Sequence, residues 1–141
     1  MACTMLSSKW LLLLILTSCS HNTTYVEPEL IKYVDQYTIA KGWQLEYAID
    51  IRFDRLDSPM VGQCYYSNSG NRQIRIDKDY WLTANDLYRT YLIFHELGHC
   101  DLNRVHDDKI DSKGYPVSIM YPSPFNLGDR YNYYVNELFN R

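Results

Sequence analysis

Apolar and polar positions follow three kinds of pattern along this chain. The first is an unbroken apolar run, Trp10 to Leu16, preceded by the single positive charge Lys9. It is too short to cross a bilayer and has the layout of a secretory signal. The second is helical spacing from Pro28 to Lys41, where Leu30, Ile31, Val34, Tyr37 and Ile39 predict one apolar face. Pro28 suits an early helical position and Gly42 supplies a C-terminal stop. The third is short alternation, which predicts strands in WQLEYAI (43–49), MVGQCYY (60–66) and RQIRID (72–77). Ser67 to Asn71, SNSGN, has the glycine and asparagine content of a hairpin loop between the last two. In RQIRID, Ile74 and Ile76 point one way and Arg75 and Asp77 the other. That alternation predicts a half-exposed edge strand, able to accept a peptide as an added strand.

Helical spacing returns after residue 80. Thr83 is a good N-cap with Asp86 three residues on, and Leu87, Tyr91, Phe94 and Gly98 repeat on one face that ends near Leu102. Glycine inside a helix costs about 1 kcal/mol against alanine, so Gly98 predicts a close backbone approach. Beyond Leu102 the chain turns polar through Lys113 and Gly114 and passes through SIMYPSP (118–124). It ends in a helix predicted from about Asp129, with Tyr133, Tyr134, Leu138 and Phe139 inward.

The N-terminal run ends in Leu16-Thr17-Ser18-Cys19, which resembles a bacterial lipobox. By that resemblance residues 1–18 are a signal peptide, Cys19 becomes the lipid-bearing first residue, and Ser20 favours the outer membrane of the cell envelope. Acyl chains hold a protein to a membrane surface without a spanning helix. An ordinary signal, with Cys19 unmodified, is the alternative. Residues 19–25 read as a polar tether in which His21 is a solvated side chain, and residues 26–141 as one domain with a single core, expected to act as a monomer. Lys9 is the one charge in the signal, so the remaining chain carries thirteen basic and seventeen acidic residues. No basic cluster exists to grip phosphates, which argues against nucleic acid as a partner. Of four cysteines, Cys64 and Cys100 are left once Cys3 departs with the signal and Cys19 takes lipid. In an oxidising compartment they form a candidate disulfide, the alternative being two buried thiols.

Three of the four histidines fall in FHELGHCDLNRVHDD (94–108). His95 and His99, four apart on a helix, leave the same face and can converge on one ion, and zinc suits such nitrogen ligands. Glu96 follows the first histidine and places a carboxylate where it can take a proton from water attacking a peptide carbonyl, the water having been acidified by the metal to a pKa of about 7. A catalytic zinc generally takes three protein ligands. His106 or Asp107 can supply the third if the chain leaves the helix near Leu102 or Asn103 and folds back, and Asn103 tolerates the left-handed backbone such a turn needs.

HELGHCDLNRVH together with SIMYP resembles the metzincin metallopeptidases, whose pattern is HExxHxxGxxH followed by a methionine-containing turn. The resemblance implies a small α+β domain with a short, mostly antiparallel or mixed sheet, an active-site helix and a C-terminal helix. It further implies zinc as cofactor held by His95, His99 and His106, Glu96 as the catalytic base, and Met120 as an apolar floor below the imidazoles. The family spacing would place the third ligand at Val105 and the turn glycine at Leu102. One additional residue therefore has to be accommodated, with Asn103 in the glycine's role. Tyr121, adjacent to Met120, reads as a packed aromatic, and Pro122 to Pro124 as a rigid wall beside the substrate. The expected function is a membrane-anchored zinc endopeptidase acting on a peptide or protein substrate. A zinc-binding surface lipoprotein that holds a partner without cleaving it is the competing reading. Fractionation checks the anchor: a Cys19→Ser chain is expected in the soluble fraction, and its retention on membranes would contradict the lipid assignment.

Overall fold

The computed structural model describes residues 24–140, so the signal, Cys19, His21 and most of the tether lie outside the described residues. Strand β1 (Tyr25–Val26) leads through a 3-10 turn at Pro28–Leu30 into helix α1 (Ile31–Lys41). Gly42 ends α1 with φ 89°, its N–H donating to Thr38 O. The buried stripe of this segment is Leu30, Tyr33, Val34 and Tyr37, an i, i+3, i+4, i+7 set. Ile31 and Ile39, expected on that face, lie 44% and 79% exposed because they fall off the stripe.

Strand β2 is Ile49–Asp54, not residues 43–49. Two side chains take over the backbone of the expected strand: Asp101 Oδ1 accepts from Glu46 N at 2.5 Å, and Lys41 Nζ donates to Gln44 O at 3.0 Å. The alternation is instead carried by IDIRFD, with Ile49 and Ile51 fully buried. Strands β3 (Gly62–Tyr66) and β4 (Arg72–Asp77) form the expected hairpin around Ser67–Asn71. The sheet is mixed, in the order β1-β2-β4-β3, with β2 parallel to β1 and β4, and β3 antiparallel to β4.

That order corrects the expected edge. β4 is bonded on both sides, with Ile74 and Ile76 fully buried, and among the described residues the terminal strands of the sheet are β1 and, next to β4, β3. Asp77, read as outward, is also buried. It caps helix α2 (Lys78–Thr83) by accepting from Tyr80 N at 2.8 Å, and it takes Leu56 N at 3.0 Å. Thr83 therefore closes α2 and does not cap the motif helix. Helix α3 (Asp86–Cys100) is capped by Asn85, whose side chain accepts from Tyr88 N at 3.1 Å. Leu87, at the exposed start of α3, is 38% accessible, while Tyr91, Phe94 and Gly98 are buried as expected.

α3 is the central element of the core. It packs on β3, β4 and α1, and its far end meets helix α4 (Tyr131–Phe139), entered through a 3-10 turn at Gly128–Arg130. Gly98 permits this: an added Cβ would overlap Met120 Sδ and come within 3.4 Å of Leu138 Cδ1. In α4, Tyr134 and Leu138 are inward, Phe139 is partly buried, and Tyr133, expected inward, is 45% exposed with its hydroxyl donating to Val117 O. Cys64 and Cys100 are joined, with Cα atoms 5.6 Å apart, which ties the edge strand β3 to the last residue of α3. Among the described residues, no helix is long and apolar enough to cross a membrane.

Candidate metal centre

His95 and His99 project from one face of α3, and the chain after Cys100 decides whether a third ligand can reach them. Asp101 N and Leu102 N still bond to Leu97 O, at 2.7 and 3.4 Å, and Asn103 then takes a φ of 56°. This left-handed residue reverses the chain, so that Arg104 N returns to Gly98 O at 2.9 Å. Arg72 holds the turn in place: its Nη1 donates to Cys100 O at 2.5 Å and to Asn103 Oδ1 at 2.8 Å, while its guanidinium lies 3.3 Å from the Tyr47 ring centroid. Val105 swings out, 80% exposed, and His106 swings in.

One nitrogen from each of His95, His99 and His106 then lies within 4.8 Å of the others. His95 Nε2 is 3.2 Å from His99 Nε2 and 3.2 Å from His106 Nε2. These separations match the roughly 3.3 Å edge of a tetrahedron whose metal–nitrogen bonds are about 2.0–2.1 Å.

The outer nitrogens fix which tautomers are present. His95 Nδ1 lies 2.9 Å from Ile119 O, and His99 Nδ1 lies 2.6 Å from Arg104 O. A carbonyl can only accept, so each Nδ1 carries the proton and each Nε2 presents a bare lone pair. The Tyr91 hydroxyl, 3.2 Å from His95 Nδ1, spends its own proton on Tyr121 O at 2.8 Å. His95 and His99 thus aim two lone pairs at each other with no proton to share. Burial opposes adding one: it pushes His95 down to about 3, helped by the neighbouring imidazoles, and lowers His99 as well. A cation between the rings resolves the repulsion, so this donor set fits a metal ion.

Asp107 does not join the group. Its N–H donates to Met120 O at 3.0 Å, and its carboxylate accepts from Lys109 N at 3.2 Å. Met120 is fully buried with its sulfur against Gly98, between the two histidines of the helix in sequence. The Tyr121 ring centroid lies 6.2 Å from that of Phe125, and Tyr121 is not among the residues lining the cavity onto which the histidines open.

The histidines open onto a cavity of about 410 Å³ whose walls include Met60, Gly62, Tyr66, Tyr91, Pro122 and Pro124. Glu96 lies in its wall, 4% exposed, and burial pushes its carboxyl up to about 8. Gly62 makes room for that side chain, since a Cβ there would stand 2.5 Å from Glu96 Oε1 and 2.8 Å from Leu92 Cδ1. Tyr66, on the same edge strand, donates its hydroxyl to His99 O. Gly62, Tyr66 and Arg72 were not singled out by sequence reasoning. A glycine inside an alternating strand was the one available signal, because it commonly marks close approach of another group. No family model, curated protein or solved structure matches the chain.

Glu96 generates a pH prediction for the metal-free chain. Its folded pKa of about 8 stands above the ordinary 4.5, so the folded state holds the proton that the unfolded state releases. This contribution to stability is complete below about 4.5 and lost as the pH rises through about 8. The shift of His95 acts below about 6.5 in the opposite sense, and is common to a Glu96→Gln chain. Denaturant titrations of the two metal-free proteins are therefore expected to show Glu96→Gln gaining on the wild type across this window, by roughly 1.4 kcal/mol per pKa unit. Parallel stability curves would contradict the buried, neutral carboxyl.

Proposed function

We propose that the chain is a zinc-dependent endopeptidase of small metzincin-like type, held at a bacterial cell envelope through lipid on Cys19. One observation carries the reading: three imidazoles converge with His95 and His99 in the metal-binding tautomer, beside a buried glutamate and a cavity lined by β3, a terminal strand of the sheet among the described residues. A structural metal site has no use for either the glutamate or the cavity.

His95, His99 and His106 would hold zinc, which supplies Lewis acidity that lowers the pKa of water and polarises a carbonyl. The backbone carbonyls of Ile119 and Arg104 keep the two helical imidazoles aimed through their Nδ1–H groups. An extended substrate adds to the edge of β3, whose Gly62, Gln63 and Cys64 line the cavity. The edge role first read into RQIRID passes to this neighbouring strand. Held ionised against the effect of burial by the charge of a nearby zinc ion, Glu96 takes a proton from the attacking water as the new C–O bond forms, and delivers it to the departing amine as the C–N bond breaks. Gly62 leaves the space that carboxylate occupies, and Pro122 and Pro124 contribute to the cavity wall.

The test is digestion of a diverse peptide mixture by the zinc-loaded chain from Ser20 onward, read by mass spectrometry beside Glu96→Gln. Cuts are expected from the wild type only, with a loss of at least about 100-fold in the variant, while both retain zinc. A folded, zinc-bound wild type that cuts nothing would overturn the peptidase reading in favour of a non-catalytic zinc lipoprotein.

A further inference from the structure

Glu137 is a charged side chain that neither the metal group nor the proposed chemistry uses, and it is almost wholly buried. Its side chain is 4% exposed on α4, and it reaches two separate segments. Oε1 accepts from Arg104 Nη2 at 2.6 Å, and Oε2 accepts from Ser118 Oγ at 2.9 Å and from Ile119 N at 3.1 Å. Arg104 and Ile119 are the two residues whose carbonyls receive the Nδ1–H protons of His99 and His95.

We infer that Glu137 is the positioning residue of the metal centre: one buried carboxylate that sets both carbonyls on which the helical imidazoles are aimed. The connection runs in two arms. In one, Glu137 Oε2 holds the Ile119 N–H, and Ile119 O fixes His95. In the other, Glu137 Oε1 holds the Arg104 guanidinium, and Arg104 O fixes His99. Arg104 is braced further by its second nitrogen, Nη1, which donates to Leu138 O at 3.0 Å and Glu137 O at 3.4 Å, in the last turn of α4. Ser118 Oγ, while donating to the carboxylate, accepts from Met120 N at 3.0 Å, which brings the methionine under the same anchor.

Without this anchor, the segments at 104 and 118–120 would be held near α3 by packing and their own backbone bonds, and the two carbonyls would lose their common reference. Outer partners of metal-bound histidines orient the ring and raise its basicity, and their loss typically weakens metal binding by about 10–100-fold. Glu137 acts one bond further out, yet on two ligands together.

This inference rests on the three-histidine group holding a metal, and the experiment separates the two claims. Zinc affinity is measured by competition with a chromophoric chelator for the purified chain and for Glu137→Gln, at a temperature where near-ultraviolet circular dichroism shows both folded. The expected result is wild-type binding at one equivalent and a roughly 10–100-fold weaker Kd for Glu137→Gln, with the downfield Nδ1–H proton signals of both helical histidines exchanging faster with solvent. Equal affinity and equal exchange would overturn the inference while leaving the metal site standing. A wild type that binds no zinc would remove the site itself. If Glu137→Gln does not fold, Ser118→Ala loosens the Oε2 arm alone. It is then expected to bind zinc more weakly and to speed exchange at His95 but not at His99, and wild-type values for both would overturn the inference.

Discussion

Two protons on the outer edges of two imidazoles organise this structure. Because backbone carbonyls claim Nδ1–H of His95 and of His99, the inner nitrogens face each other 3.2 Å apart as bare lone pairs. Burial disfavours relieving the repulsion by taking up a proton, most strongly at His95. A cation between the rings would relieve the repulsion, and the third imidazole completes a group that could hold a metal ion.

Several features of the chain serve to hold that arrangement. Asn103 bends the backbone so that His106, seven residues beyond His99, reaches the two histidines of the helix. Gly98 lets Met120 approach the helix between the turns that carry the histidines, and Gly62 lets the edge strand approach Glu96. The Cys64–Cys100 bond pins that strand to the end of α3, so that the proposed substrate edge is covalently tied to the helix that carries His95 and His99. A 36-residue separation makes such a link worth roughly 3–4 kcal/mol in the chain-entropy account. At the same end of α3, buried Lys41 and Asp101 pair at 2.7 Å, and Tyr37 adds a hydrogen bond at 3.0 Å, anchoring the helix terminus to α1 just before the reversal.

What could be read from the sequence was what depends on nearby residues. The helical spacing of His95 and His99, the stop at Gly42, the close approach at Gly98, the left-handed turn at Asn103 and the hairpin at Ser67–Asn71 are local consequences of residue type. Features that depend on partners far along the chain were not legible. RQIRID alternates as an edge strand would, yet β2 and β3 flank it, and strand order cannot be read from alternation alone. WQLEYAI has strand-like composition, but Asp101, more than fifty residues away, takes its backbone. Thr83 and Asn85 are both good caps, and the choice fell to Asn85 because α2 ends at Thr83. Glu137 gave no signal, since its meaning lies in Arg104 and Ser118, which only the folded chain brings to it.

X-ray absorption at the zinc edge, on the zinc-loaded chain and its His106→Ala variant, tests the central claim most directly. The account predicts three imidazole ligands and one further light atom, with nitrogen distances of about 2.0–2.1 Å, falling to two imidazoles in the variant. A sulfur neighbour, or an imidazole count unaffected by loss of His106, would contradict it.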